Sequence, residues 1–231
     1  MVPSNALQRT FHLKYGTNSG TCFTIDRDSR QYLVTARHVV QGAAERFTIQ
    51  IFHDGQWKDL SCYYVGATSG DVDIAVLAPA CQISPTYSFE PSTNGMLLSQ
   101  DAYFLGFPYG LQADVGHLNA QFPLPLVKKA CISLLALDSG SDKYFLLDGH
   151  NNPGFSGGPV VFSPPSSPRK ICVAGVVSSY RFEWEKVFLN GKETPLEIRY
   201  NTGIVVAYSI EYAIDLINVN PIGAQLPAPV S

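Results

Sequence analysis

Alternation of apolar and polar positions divides most of this chain into short segments separated by turn residues. Apolar runs bounded by Gly, Pro, Asn, Asp or Ser are typical of β-strands. Asp54 and Gly55, which lie between two such runs, add a strong hairpin signal. The pattern predicts strands at 11–15, 21–25, 32–36, 47–53, 60–65 and 71–77, and again at 102–107, 127–136, 143–147, 159–162, 171–179 and 203–207.

The rest of the pattern organises these strands into two halves. Residues 208–217 place apolar side chains at helical spacing and are predicted as a helix. Residues 79–95 are rich in Pro, Ser and Thr without a clear period, which favours a linker. Many short strands in two halves predict two antiparallel barrels. The expected units are an N-terminal barrel at 1–90, a C-terminal barrel with its helix at 91–220 and a loose tail at 221–231.

Composition and charge narrow the class of protein. Of 231 residues, 45% are hydrophobic and 15% are charged, which is typical of a globular chain. A net charge of -3 and the lack of a long apolar run predict no nucleic-acid or membrane partner, and the N-terminus does not resemble a secretory signal. Five scattered cysteines form neither a disulfide framework nor a zinc site. We expect reduced thiols, a cytoplasmic location, and no metal or cofactor.

A glycine-rich loop at residues 151–160 carries the residue types that acyl transfer needs. It places Ser156 among Gly154, Gly157 and Gly158. Glycine permits backbone angles that other residues resist, so such a loop directs N–H groups inward around the hydroxyl. A nucleophile beside inward N–H groups provides both an attacking atom and an oxyanion site. A plain Gly/Pro turn is the alternative interpretation.

A serine hydroxyl is a poor nucleophile until a base takes its proton. His38 follows a strongly strand-forming run, which offers a firm mount for an imidazole. Asp73 lies in an apolar run, where a buried carboxylate needs a partner, and an imidazole N–H is a suitable one. The other candidate bases are His12, His53, His117 and His150, and the rival carboxylate is Asp71.

The order of these residues along the chain distinguishes between catalytic folds. Gly154, Ser156 and Gly158 also satisfy the nucleophile elbow of α/β-hydrolases, but those enzymes place their histidine after the serine, and here every histidine precedes it. The order His38, Asp73, Ser156 is that of the chymotrypsin template. The chain resembles trypsin-like serine proteases. Within this group it is most similar to the peptidase domains of bacterial HtrA/Deg-type proteins, here expected without a PDZ domain. The segments that carry this resemblance include 35–39, 73–77 and 148–159.

This resemblance implies an all-β chymotrypsin fold, with two antiparallel six-stranded Greek-key barrels and a C-terminal helix. It implies that Ser156 attacks the scissile carbonyl, that His38 takes and returns the proton, and that Asp73 orients the imidazole. The backbone N–H groups of Gly154 and Ser156 would form the oxyanion hole. Proteins or peptides would be the substrates, and control is expected from loops, a protein activator or oligomerisation.

Two features depart from the family pattern. Phe155 adjoins the nucleophile, where a bulky apolar side chain must pack under the barrel or distort the loop, so a gated oxyanion hole is a hypothesis. Residues 181–200 form an insertion, which is either a β-hairpin beside the specificity pocket or a solvent-exposed excursion. By resemblance, the carboxylate position at the base of the trypsin pocket falls near His150, so a Lys or Arg preference is not expected. His150 could instead attract an acidic side chain, although a structural role is expected for it. Tyr180 would narrow the pocket mouth, which favours small or medium apolar substrate residues. The substrate-binding residues implied by the resemblance are Ser178, Ser179, Tyr180, Gly203 and His150.

Two functional hypotheses from different classes remain. The first is a serine endopeptidase, which the presence of His38, Asp73 and Ser156 together favours. The second is a protease-fold binding module with a closed or unused site, which Phe155 favours. Covalent labelling that depends on Ser156 would distinguish the two.

Overall fold

The computed structural model describes residues 1–113, 115, 119–137 and 142–226. These residues are mainly β-structure, with a helix near each end. The first half contains α1 (Ser4–Leu7), β1 (Thr10–Tyr15), β2 (Asn18–Arg27), β3 (Arg30–Thr35), β4 (Arg46–His53), β5 (Gln56–Ala67) and β6 (Ala75–Pro79). The second half contains β7 (Glu90–Pro91), β8 (Asp101–Gly106), β9 (Leu126–Ala136), β10 (Tyr144–Asp148), β11 (Pro159–Phe162), β12 (Cys172–Leu189), β13 (Lys192–Ser209) and α2 (Glu211–Val219).

The first six strands close into an antiparallel barrel in the order β1-β2-β3-β6-β5-β4. Side chains at successive positions of a strand point to opposite faces. In β3, Leu33 therefore faces the barrel interior, whereas Tyr32 and Val34 face a cluster shared with the second sheet. Because both faces of β3 are covered, this strand is a continuous apolar run rather than an alternating one.

The second sheet has the order β11-β8-β9-β10-β13-β12-β7, and a further pairing of β11 with β12 joins its first and sixth strands. Six antiparallel strands thereby form a ring, and β7 adds a short parallel seventh strand next to β12. The predicted chymotrypsin fold is confirmed. Strand β7 lies in the stretch 79–95 that was predicted as a linker, and α1 was not predicted at all.

Three apolar clusters hold the molecule together: one inside the first barrel, one inside the second sheet and one between them. Helix α2 contributes Ala213 and Ile217 to the cluster between the sheets. It ends two residues later than the predicted helix, at Val219. Among the helices of the described residues, none is long and apolar enough to cross a membrane.

Strands β12 and β13 continue beyond the sheet as a two-stranded extension, residues 181–201, which we call the arm. Its tip is a tight turn at Asn190 and Gly191, which have φ values of 51° and 76°; such angles suit the twist of a hairpin. The insertion seen in the sequence is therefore a hairpin and also solvent-exposed. Its large exposed apolar side chains are Phe182, Trp184, Phe188, Leu189, Leu196, Ile198 and Tyr200.

The chain end beyond α2 returns to the first barrel as far as it is described. Leu226 donates its N–H to the carbonyl of Ser29 at 2.7 Å, and the Arg30 side chain hydrogen-bonds the carbonyl of Gly223. The expected tail at 221–231 extends beyond the described residues.

Candidate active site

His38 and Asp73 meet because the strands that carry them are neighbours. His38 lies in the 3₁₀ turn that follows β3, and Asp73 lies just before β6, whose residue Ala75 is opposite Thr35. His38 Nδ1 is 2.7 Å from Asp73 Oδ2, and the His38 backbone N–H donates to Oδ1 at 3.0 Å. Two hydrogen bonds from one residue fix the carboxylate, and the carboxylate in turn holds the imidazole in one orientation.

The Asp73 carboxylate is 13% exposed and is held in its charged form. Burial alone raises the pKa of this carboxyl, but the hydrogen bonds and charge of His38 and the hydrogen bond of Ser178 outweigh it, so the pKa is lowered. The Ser178 hydroxyl donates to Asp73 Oδ2 at 2.9 Å. Ser178 comes from β12, so one strand of the second sheet contacts the acid of the first barrel.

The loop that carries Ser156 is fixed to the first barrel through backbone contacts. The Thr21 N–H donates to the Ser156 carbonyl at 2.8 Å, and the Thr21 hydroxyl donates to the Gly154 carbonyl at 2.7 Å. Gly157 has a φ of +85°, and a Cβ there would lie 2.1 Å from the Thr21 carbonyl oxygen. Only glycine allows this close approach, which brings the serine loop against the barrel that holds His38.

The Ser156 hydroxyl donates a hydrogen bond to the Ser178 carbonyl at 3.0 Å. Within the described residues, it makes no hydrogen bond to His38. His38 and Ser156 line the same pocket. The Ser156 hydroxyl, however, directs its hydrogen to the carbonyl of a β12 residue.

Two backbone N–H groups of the serine loop, those of Gly154 and Ser156, have no acceptor among the described residues. The Pro153 carbonyl accepts a hydrogen bond from the Tyr109 N–H at 2.9 Å, and all described peptides are trans. In a trans peptide the carbonyl and the next N–H point in opposite directions, so this contact also fixes the Gly154 N–H.

Phe155 is completely buried beneath the loop. Its ring makes an edge contact with Phe104 at 4.9 Å between centroids, and Lys128 Nζ lies 5.5 Å from the ring centre. The Phe155 N–H donates to the Asn152 carbonyl at 3.2 Å, and the Phe155 carbonyl accepts from Gly158 at 2.8 Å. Of the two possibilities raised by the sequence, the side chain packs under the barrel.

A pocket of about 300 Å³ lies beside His38 and Ser156. The predicted residues Ser178, Ser179 and Tyr180 line it. The rest of the lining is Asn151, Asn152, Pro153 and Arg199. Arg199 comes from the arm, and sequence reasoning missed it, because only the hairpin register brings it back to the pocket.

Two predicted binding residues lie outside that lining. The His150 carbonyl accepts a hydrogen bond from Lys128 Nζ, and the His150 side chain is exposed. Gly203 has a φ of +80° and open space where a Cβ would be. Its carbonyl accepts the Gly149 N–H at 2.8 Å, so Gly203 supports the segment before the serine loop.

The remaining candidate bases lie apart from Ser156. His12 is buried, and its Nε2 is 2.9 Å from the Ser19 hydroxyl; burial, with a smaller effect of Lys14, lowers its pKa. His53 pairs with Asp54 at 3.1 Å. His117 lies outside the described residues. Asp71, the rival acid, is exposed and is not part of the His38 contact.

Two β-sheets that meet at a histidine, an aspartate and a glycine-caged serine, in that chain order, define the chymotrypsin-fold class. The profile of the trypsin-like peptidase domain family matches residues 20–163. The chain belongs to this family, which is a family of serine proteases. No curated protein matches the sequence significantly.

Solved structures with the same fold are HtrA-type proteases and a mycobacterial protease. The HtrA-type protease AlgW, solved with a tripeptide, is 20% identical, with a TM-score of 0.59; the match covers 93% of this chain and 60% of that chain. The chain therefore spans less than two thirds of AlgW. The Rv3671c protease of M. tuberculosis, in its inactive form, is 16% identical, with a TM-score of 0.59, and 94% and 91% of the two chains are covered.

Proposed function

We propose that this chain is a serine endopeptidase that hydrolyses peptide bonds in protein substrates through His38, Asp73 and Ser156. The observation that carries the proposal is the doubly bonded His38–Asp73 pair, which shares one pocket with a glycine-caged serine. Family membership supports a protein or peptide substrate.

In the proposed mechanism, Ser156 Oγ attacks the scissile carbonyl carbon while His38 Nε2 accepts its proton. The Asp73 carboxylate stabilises the resulting imidazolium through Nδ1. His38 then returns the proton to the leaving amine, the C–N bond breaks, and Ser156 retains the acyl group as an ester. Water, activated by His38, hydrolyses that ester. Loss of the acid's function is expected to cost about 10⁴ in turnover.

The proposed oxyanion hole consists of the Gly154 and Ser156 N–H groups. Its support is that both donors are free within the described residues and that the Tyr109 contact fixes the peptide before Gly154. In related chemistry one such donor contributes about 10²–10³ in turnover.

We also propose that a partner or a loop rearrangement gates this site. The support is the hydrogen bond from Ser156 Oγ to the Ser178 carbonyl, which directs the hydroxyl away from His38. A protein activator or a second copy that displaces this contact would free the hydroxyl. If the isolated chain reacts with a serine-directed probe at the same rate with and without its substrates or partners, this gating proposal fails.

Labelling by a fluorophosphonate probe tests the proposed function. The native chain is expected to react, and Ser156→Ala is expected to lose all labelling. Ser167→Ala, a serine in an exposed turn, is the matched control and should react like the native chain. If no labelling depends on Ser156, even when candidate partners are added, the proposed serine protease function is contradicted.

The second candidate is a protease-fold module that binds protein without cleaving it. The specific observation that favours it is again the Ser156 hydroxyl, which is bonded to β12 rather than to the base. Under this alternative, Ser156→Ala binds partners as the native chain does, and no labelling occurs.

For location, we propose the cytoplasm. The support is that all five cysteines are free, which suits a reducing compartment.

A further inference from the structure

Arg199 carries a permanent positive charge at the pocket beside Ser156. It lies on the arm opposite Trp184, yet it lines the same pocket as His38, Ser156 and Tyr180. A guanidinium remains charged at every pH that a protein tolerates. Any substrate side chain that enters this pocket therefore meets a fixed cation.

Aromatic rings hold the Arg199 side chain in place. Its Cζ lies 3.5 Å from the ring centre of Phe182 and 5.8 Å from that of Tyr180. Arginine stacks on aromatic faces while its N–H groups remain free to bind in the plane of the fork. The Phe182 ring thus replaces the carboxylate that usually orients an arginine.

The donors of Arg199 are unused. Among the described residues, the guanidinium makes no hydrogen bond and no ion pair. Glu183 and Glu185 flank its cross-strand neighbour Trp184, and alternation along the strand directs them to the opposite face of the arm. Asp73, the acid nearest the catalytic histidine, is already bonded to His38 and Ser178.

A second cavity on the other side of Arg199 offers a comparison. It is lined by Asp71, Arg181 and Arg199, and it does not include Ser156 or His38. Arg181 therefore has the same charge and the same exposure class as Arg199 but lies outside the pocket of the serine. Asp71 forms no ion pair with either arginine within the described residues.

We propose that Arg199 is a specificity-determining residue, which makes the enzyme favour a glutamate or aspartate on the acyl side of the scissile bond. The inference rests on the proposed serine protease function. A carboxylate matches the two-pronged donor geometry of a guanidinium better than any other side chain does. Glutamate has one methylene more than aspartate, so its carboxylate extends further from the substrate backbone into the pocket. The neutral small or medium residue expected from the sequence would leave these donors to solvent and gain no charge-assisted hydrogen bond.

Paired peptidyl diphenyl phosphonates test this assignment, one with a glutamate-like and one with a glutamine-like residue next to phosphorus. Ser156 Oγ displaces phenoxide from phosphorus, so the labelling rate reports recognition at this one position. We expect the acidic probe to react about fivefold faster at low ionic strength, as for a favourable exposed ion pair. The ratio should fall as salt screens the charge.

Variants separate Arg199 from general charge effects. Arg199→Gln should bring the two labelling rates together, and Arg199→Glu should favour a lysine-like probe instead. Arg181→Gln, the matched control, should keep the native ratio. A native ratio near one, or the same ratio in Arg199→Gln as in the native chain, overturns the inference.

The two proposals fail in different ways. If the fluorophosphonate labels Ser156 but the acidic probe has no advantage, the serine protease stands and the role of Arg199 is wrong. If no probe labels Ser156, the proposed function fails and the specificity inference falls with it. Both arginines are exposed, so unchanged melting temperatures are expected for all these variants.

Discussion

Phe155 provides a sharp test of how the loop that carries Ser156 is supported. The side chain is completely buried and contacts Phe104, so Phe155→Ala removes a whole ring from a closed core. Such substitutions lower the free energy of unfolding by about 3–5 kcal/mol, because transfer and cavity terms add. In a chain of this size, each kcal/mol lowers the melting temperature by about 2–4 °C. We therefore expect a decrease of roughly 6–20 °C.

Thermal unfolding followed by circular dichroism, with urea unfolding in parallel, measures this change. Phe188→Ala makes the same substitution at an arm residue that is 61% exposed, and it should alter the free energy of unfolding by less than about 0.5 kcal/mol. Phe155→Leu should lie between the two, because it keeps an apolar group under the loop. If Phe155→Ala melts within about 2 °C of Phe188→Ala, the loop does not depend on this packing and the argument is refuted.

Two further predictions concern titration and thiol access. Burial raises the pKa of the Asp73 carboxyl, but its hydrogen bonds and charge partner lower it overall, so this group stabilises the fold above about pH 4 and the contribution disappears as pH falls through the lowered folded-state value. Urea unfolding should show that the stability deficit of Asp73→Asn shrinks on acidification, whereas Asp71→Asn, at an exposed position, should change the free energy of unfolding by less than about 0.5 kcal/mol. Cys81 is exposed, while burial raises the pKa of the Cys62 thiol to about 12 and raises that of the Cys22 thiol well above its ordinary value. A disulfide reagent should therefore modify Cys81 rapidly in the native protein and leave Cys22 and Cys62 unmodified until unfolding; equal rates at the three would contradict the packing.

The pairing of His38 with Asp73 could be predicted because it depends on neighbours in a regular sheet. The apolar runs before His38 and after Asp73 identify two strands, and adjacent strands bring their ends together. The strand bounds were less accurate, because Asp73 lies before β6 rather than inside it. An aspartate is as common in a turn as at the end of a strand. The local sequence pattern therefore does not show whether the strand begins before or after Asp73.

The approach of Arg199 to the pocket could not be predicted. It depends on the register of the arm, and β12 carries irregularities between Val177 and Ser179 and between Tyr180 and Phe182. Each irregularity changes which side chains face the pocket, and no local signal in the sequence marks it. The contact between Ser178 and Asp73 could not be predicted either, because it joins residues from different sheets.

The arm separates the proposed specificity residue from the proposed catalytic residues. The proposed catalytic residues lie where two closed sheets meet, and the cores of both sheets fix their positions. Arg199, which we propose reads the charge of the substrate, lies on a hairpin that extends into solvent and contributes little to either core. If both proposals hold, a substitution in the arm changes which substrates are cut without altering the residues proposed to break the bond. Substrate preference and bond cleavage would then depend on separate parts of one chain.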